Sequence, residues 1–253
     1  MGRIISVANQ KGGVGKTTTS INLSAFLAAA GKRVLTIDAD PQGNTTSGLG
    51  IDKYSLSRTF YDLLMQQYRI DEIIIETSFQ NLYILPSNVE LAGAEIELVS
   101  KEKREFILKR ILSDVKFLYD FIIIDCPPSL NILTINALTA SDTVLVPIQC
   151  EYFALEGLSQ LMYTIDLVKK RLNPNLDLEG VVFTMYDSRT NLSMQVIEEV
   201  KKHIGPNIYR TIVPRNVRLS EAPSHGLPIS VYDANSKGAE SYAQLADEVI
   251  ARL

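Results

Sequence analysis

The chain has 253 residues, 46% hydrophobic and 21% charged, the balance of a globular protein with a sizeable core. Its longest apolar runs suit a buried strand and fall well short of the roughly 18 residues needed to cross a bilayer. A net charge of −4 argues against a protein that coats nucleic acid with its whole surface, yet leaves room for a local basic patch.

No signal peptide is visible at the N-terminus. Met1-Gly2-Arg3-Ile4-Ile5-Ser6 fits the loose myristoylation pattern, but Ile4, Ile5 and Val7 read as core residues of a strand. Strand-like runs follow at Ile4–Ala8, Arg33–Ile37, Leu82–Leu85, Phe121–Ile124, Thr143–Ile148, Leu178–Phe183 and Tyr209–Ile212. Amphipathic helical patterns fall at Thr17–Ala30, Lys101–Leu112, Ala154–Arg171, Leu192–His203 and Ser236–Arg252. Several strands are apolar throughout, as expected where both faces of a parallel sheet are covered. The alternation predicts an α/β fold: a doubly wound, mostly parallel β-sheet flanked by helices, with ligands at the carboxyl ends of the strands. With no repeat and no linker, residues 1–253 are expected to form one domain. Cys126 and Cys150 each follow or end an apolar run and read as buried hydrophobes, and two thiols fit a reducing cytosol. Leu56–Ile70 carries no readable motif.

Gln10-Lys11-Gly12-Gly13-Val14-Gly15-Lys16-Thr17-Thr18 follows a strand and opens a helix, the context of a phosphate-binding loop. Glycines let successive N–H groups turn toward phosphate oxygens, and the helix adds its positive end. Lys16 can reach the β- and γ-phosphates, and the Thr17 hydroxyl can ligate Mg²⁺. The usual first glycine is absent: Gln10 holds that place, with a second lysine, Lys11, beside it.

Asp38-Ala39-Asp40-Pro41-Gln42-Gly43-Asn44 places two carboxylates at a strand end. Asp40 is a candidate to orient or deprotonate the attacking water and Asp38 to support the metal through water; an Asx-turn is the structural alternative. Phe121-Ile122-Ile123-Ile124-Asp125-Cys126-Pro127-Pro128 is a Walker B arrangement delivering Asp125 to Mg²⁺, and the paired prolines stiffen a loop that can sense the γ-phosphate.

Lys11-Gly12-Gly13-Val14-Gly15-Lys16-Thr17-Thr18 resembles the deviant Walker A ATPases, which include the ParA/Soj partition proteins, the MinD division-site proteins and the nitrogenase iron protein. In that group the extra lysine, here Lys11, crosses to the partner's nucleotide. The resemblance therefore implies an ATP-bound homodimer in which Lys11, Lys16 and Asp40 serve hydrolysis, a lysine in trans acting much as an arginine finger does. The Asp38–Asn44 stretch is similar to the switch I motif of the ParA-like proteins.

Three readings compete: DNA partition, MinD-like membrane cycling, and electron transfer or metabolism. The electron-transfer reading needs cysteine thiolates for an iron–sulfur cluster, and it is disfavoured because only Cys126, at the Walker B strand end, and Cys150 are present. The C-terminal helical stretch puts Tyr242, Leu245, Val249 and Ile250 on one stripe opposite a mostly acidic face, a helix packed on its own domain and no membrane anchor. Between Tyr186 and Arg218 six basic residues outnumber three acidic ones; these are either solvated helix faces or a surface for DNA phosphates. Asp187–Thr190, Pro214–Ser224 and Glu151–Gly157 look like chromosomal ParA/Soj segments. That likeness implies that Arg189 and Arg218 touch the DNA backbone and that Pro214 and Asn216 lie around the adenine. It also implies nonspecific double-stranded DNA binding by the dimer, stimulation by a ParB/Spo0J-type protein, and a cytoplasmic, nucleoid-associated location. The chain begins at its P-loop strand, so sequence-specific operator binding is not expected.

Overall fold

Strand β1 (Arg3–Val7) has Ile4 in one apolar layer and Ile5 and Val7 in the other, so almost every side chain is buried on one face or the other. The computed structural model describes residues 2–151 and 154–252. Within them β1, β2 (Val34–Asp38), β3 (Ile75–Glu76), β4 (Leu82–Leu85), β5 (Phe121–Asp125), β6 (Thr143–Gln149), β7 (Asp177–Tyr186) and β8 (Ile208–Pro214) form one sheet ordered β3-β4-β2-β5-β1-β6-β7-β8. Every neighbouring pair is parallel except β3 on β4.

The helices in chain order are α1 (Lys16–Ala29), α2 (Asn44–Gly48), α3 (Phe60–Leu64), α4 (Leu91–Glu97), α5 (Ile107–Ser113), α6 (Ile132–Ala140), α7 (Ala154–Arg171), α8 (Asn191–Ile204), α9 (Val217–Glu221), α10 (Ile229–Tyr232) and α11 (Lys237–Ile250). Ile21, Leu23 and Leu27 of α1 and Tyr242, Leu245 and Val249 of α11 cover one face of the sheet; residues of α3 through α8 cover the other. Each such side chain contributes about 1.5–3 kcal/mol on burial, which outweighs the weak intrinsic strand preference of any one run. The doubly wound sheet expected from the strand–helix alternation is thus observed, and the stripe on α11 is covered by its own chain.

Below the sheet Glu179 ties the two ends of the chain together. Its buried carboxylate accepts from Thr143 Oγ1 (2.6 Å) and Tyr209 OH (3.0 Å) and pairs with Arg3 (2.7 Å), while Arg252 stacks on Tyr209 at 3.9 Å. Gly2 is buried, with no space for a Cβ against the carbonyls of Lys116 and Tyr119, consistent with an N-terminus committed to packing.

Local differences from the sequence expectation have visible causes. Lys101–Leu112 is no single helix. Lys103 is left-handed (φ 51°), a 3₁₀ turn follows at Arg104–Phe106, and α5 starts only at Ile107. Asn136 stabilises the break, donating to Arg104 O (2.8 Å) and accepting from Leu108 N (3.2 Å). Helix α6 has no polar face to read, because it is enclosed on nearly every side; the Asn131 side chain caps it through Leu133 N and Thr134 N. In Leu56–Ile70 only α3 is α-helical, started by a Thr59–Asp62 capping box.

Candidate nucleotide site

The loop between β1 and α1 is shaped to receive an anion. Gly13 (φ 74°) and Gly15 (φ 90°) hold left-handed conformations that an L side chain strains to adopt. Gly15 occupies the N-cap of α1 and supplies no side-chain cap, so the first helical N–H groups have no side-chain acceptor. Lys16 Nζ donates across the loop to Lys11 O at 3.0 Å, and Thr184 Oγ1 from β7 donates to Val14 O at 2.8 Å. An open cleft of about 310 Å³ is lined by Gly12, Gly13, Gly15, Lys16, Thr17, Thr18, Asp40, Asn44, Pro128 and Met185. Burial lowers the Lys16 pKa, and the nearby Asp125, Cys126 and Asp40 oppose that shift.

The acidic residues converge on the same point from β2 and β5, whose ends are in register at Asp38 and Asp125. Asp125 accepts from Thr17 Oγ1 (2.8 Å), Ser20 Oγ (3.0 Å) and Thr45 Oγ1 (2.7 Å). Asp38 accepts from Thr46 N (2.8 Å) and Thr46 Oγ1 (2.7 Å). Burial pushes both carboxyls up, Asp38 to about 7 with Asp125's charge the next cause, and Asp125 to about 6 despite its three hydroxyl donors. Asp40 lies on the cleft with one carboxylate oxygen accepting Gln42 N at 2.9 Å, so the Asx-turn and the place beside the phosphate loop coexist.

Lys11 behaves differently from Lys16. It is not among the residues lining the cleft; its ammonium pairs with Glu151 beyond the end of β6, while its backbone N–H donates to Asn9 Oδ1 (3.0 Å). Asn9 is fixed by Pro147 O at 2.7 Å. Of the stretch Glu151–Gly157, Tyr152 and Phe153 lie outside the described residues.

Pro214 and Asn216 line a second hollow of about 120 Å³ with Gly15, Thr18, Met185 and Tyr242, adjoining the cleft through Gly15, Thr18 and Met185. The Asn216 carbonyl caps α9 through Arg218 N (2.8 Å), leaving its amide NH₂ as the group that can donate to a ligand. Arg189 follows the end of β7 and Arg218 the end of β8, two strand ends joined where Arg215 N bonds Tyr186 O at 3.1 Å. Both are exposed and both are paired, Arg189 in a fork on Asp187 and Arg218 with Glu221 at 2.9 Å. The wider basic run disperses: Lys202 pairs with Glu199 on α8.

Sequence reasoning missed Thr45, Thr46, Ser87 and Glu151. Thr45 and Thr46 follow the acidic motif directly, so two hydroxyls on a short helix were a usable signal; Glu151 opens the family-like segment Glu151–Gly157 but has no partner readable there, and Ser87 carries no signal.

The family model described as an AAA domain (AAA_31) matches residues 2–178. The sporulation initiation inhibitor protein Soj of Bacillus subtilis is 61% identical over 251 residues, covering 99% of this chain and 99% of its own. The chromosome partitioning protein ParA of Myxococcus xanthus is 54% identical over 252 residues, covering 100% of this chain and 89% of its own. A solved structure of cobyrinic acid a,c-diamide synthase from Mycobacterium smegmatis with bound ADP and magnesium superposes with a TM-score of 0.88 at 38% identity, covering 100% of this chain and 95% of that one.

Proposed function

The chain belongs to the ParA/Soj family of chromosome-partitioning ATPases, and on that premise we propose that it is a one-domain DNA-segregation ATPase whose ATP-bound homodimer holds DNA without sequence preference. The observation that carries this reading is the division of labour between the two lysines. Lys16 serves its own cleft, while Lys11 is turned to Glu151 and does not line the cleft of its own chain. A lysine kept at the mouth of the cleft is suited to a second copy's nucleotide. The solved structure with ADP and magnesium carries a different activity in its name, but ParA of Myxococcus xanthus and Soj of Treponema pallidum, each sharing more than half of this chain's residues, are named as chromosome-partitioning proteins.

The residues present fit ATP and Mg²⁺. The uncapped helix end and the open glycine loop suit phosphates, and the Thr17 hydroxyl meets the Asp125 carboxylate at 2.8 Å, a hard-oxygen pair suited to Mg²⁺. Bound there, Mg²⁺ supplies charge neutralisation at the β- and γ-phosphates. Lys16 neutralises the same oxygens, Asp40 orients water at the open side, and Asp38 holds the Thr46 end of the switch loop in place. Pro214 and Asn216 receive the base.

Arg189 and Arg218 present a basic rim that doubles when two copies close, so paired weak phosphate contacts yield useful affinity. A ParB/Spo0J-type protein stimulates hydrolysis, which opens the dimer and releases DNA, and the protein associates with the nucleoid. Nothing favours the membrane-cycling alternative: among the described residues no helix is long and apolar enough to cross a membrane, and the stripe of α11 is buried.

A salt-dependent titration on nonspecific duplex DNA with ATP, ADP and no nucleotide tests the reading. Binding should require ATP and weaken steeply with salt, and Arg218→Glu should abolish it while nucleotide binding persists. DNA retention indifferent to nucleotide, or unchanged in Arg218→Glu, would sink it.

A further inference from the structure

Asp125 has more hydroxyl donors than a buried carboxylate requires. Each of its oxygens needs a partner once water is excluded, and Ser20 Oγ on Oδ1 (3.0 Å) with Thr17 Oγ1 on Oδ2 (2.8 Å) meets that need. Thr45 Oγ1 adds a third donor at 2.7 Å, and it goes to Oδ2, the oxygen that Thr17 already uses. Thr45 and Asp125 are both fully buried, so the bond is shielded from solvent. Thr45 is not among the residues lining the phosphate cleft, and whatever it does there it does through Asp125.

A carboxylate oxygen carries two in-plane lone pairs. With Thr17 on one and Thr45 on the other, Oδ2 is full, and the plane of the carboxylate is held by two separate elements, α1 and α2. That arrangement fixes Thr17 in turn. Its proton is committed to Asp125, so its own lone pairs are left for the cleft that it lines. A hydroxyl ligates a hard cation only through those lone pairs.

Helix α2 does not depend on Thr45 for its place. Gly43 starts it at φ 61°, with Ser87 O only 2.7 Å from where a Cβ would lie. Thr46 bonds Asp38 through both N and Oγ1, and Ser87 ties the segment at two points, N to Thr46 Oγ1 (2.9 Å) and Oγ to Asp40 O (3.1 Å). Ser47 Oγ closes the first turn on Gly43 O at 3.1 Å. The Thr45 hydroxyl is therefore surplus both to satisfying Asp125 and to anchoring α2, and orientation is the task left to it.

We propose that Thr45 is a positioning residue for the divalent cation, its hydroxyl setting the Asp125 carboxylate so that Thr17 presents its lone pairs to the metal. Thr45 rides on the helix that follows Asp40, so seating the cation and seating the switch loop become one event. The inference rests on the ATP and Mg²⁺ reading of the cleft, and on neither DNA nor a second copy.

The test uses the full chain with fluorescent N-methylanthraniloyl-ADP, which keeps turnover out of the readout, and Mg²⁺ titrated against EDTA. Losing the outer partner of a metal ligand costs about 10–100-fold in metal affinity. Thr45→Val keeps the shape and removes the hydroxyl, and should weaken Mg²⁺ in the ternary complex by about tenfold or more, with nucleotide affinity in EDTA unchanged. Thr45→Ser restores the donor and should stay close to wild type. Ser47→Ala loosens α2 without touching Asp125 and should leave the metal affinity as it is. Equal Mg²⁺ affinity in wild type and Thr45→Val would overturn the proposal. So would an equal loss in Ser47→Ala, which would make Thr45 only a strut of α2, or weakened nucleotide binding by Thr45→Val in EDTA, which would mean a damaged phosphate loop. A wild type that binds the nucleotide equally with and without Mg²⁺ would instead overturn the metal seat itself, a failure separable from the others. A second measurement needs no variant, because coupling between two sites is reciprocal. In wild type, Mg²⁺ with ADP should slow hydrogen exchange at Leu49 N–H, which bonds Thr45 O at 3.1 Å, by about the factor that Thr45→Val loses in metal affinity, while ADP in EDTA should not. Exchange there that is indifferent to Mg²⁺ would refute the link between α2 and the cation.

Discussion

Asp38→Asn should stabilise the nucleotide-free protein at alkaline pH and not at acidic pH. Asp38 is fully buried and faces the second buried carboxylate, Asp125, so its pKa is pushed up to about 7 by burial first and by that charge second. A raised carboxyl favours the folded state while it is protonated. That advantage is complete below the unfolded value near 4 and is lost as pH rises through about 7. Between pH 5 and 7 each pH unit removes up to ~1.4 kcal/mol, so the wild type loses at most about 3 kcal/mol across that window. Asparagine keeps the shape and the acceptor for Thr46 N but carries no charge; its NH₂ faces a donor-rich site, which costs about 1–2 kcal/mol at every pH. The variant should therefore be no more stable than wild type at pH 5 and pass it by pH 8, a relative gain of up to about 6–12 °C with ~2–4 °C per kcal/mol for a chain of this size. The assay is differential scanning fluorimetry in EDTA without nucleotide. A Tm difference that is flat from pH 5 to 8 would refute the claim that Asp38 is held neutral by its surroundings.

Asp40→Ala removes the carboxylate proposed to orient water without touching the phosphate loop, and should trap an ATP dimer on a sizing column; normal turnover by that variant would exclude the role. Glu151→Gln weakens the partly exposed pair that holds Lys11, worth about 0.5–1 kcal/mol, and should tighten the ATP-dependent dimer roughly two- to fivefold in analytical ultracentrifugation. A looser dimer would show that Glu151 aids association directly. Glu179→Gln leaves Arg3 without its buried partner and should lower Tm by about 4–12 °C, from ~2–3 kcal/mol, with ATP binding unaffected. An unchanged Tm would mean that the network below the sheet holds nothing together.

What could be read from the residues divides along physical lines. The sheet was legible because a strand buried on both faces must be apolar throughout, as Phe121–Ile124 is, and few other structures tolerate that. The phosphate loop was legible because its backbone demands glycine at Gly13 and Gly15 and its chemistry demands Lys16 and Thr17. Helix α6 was hidden by the reverse of the same logic: Ile132–Ala140 is enclosed all round and has no amphipathic period to detect. β3 is two residues long and owes its existence to β4, a tertiary cause with no local trace. Ser87 and Glu151 gain meaning only through what the fold carries up to them, Asp40 in one case and Lys11 in the other.

The same limit governs the arginines. A charge count over Tyr186–Arg218 treats six cations alike, whereas the fold sorts them by partner and by place. Arg189 follows the end of β7 and Arg218 the end of β8, each held by a partly exposed carboxylate in a weak, solvent-screened pair. Such pairs order the guanidinium groups yet exchange readily for DNA phosphate, which offers a comparable fork and releases counterions as well. In the proposed dimer Asp187 and Glu221 would set a modest threshold that a single copy meets poorly and two copies closed on ATP meet together. The proposed contacts use guanidinium forks suited to phosphate and read no base edge, so the proposal assigns them no sequence preference. On this view the nucleotide controls DNA binding by the number of rims presented at once, with no change in the rim itself.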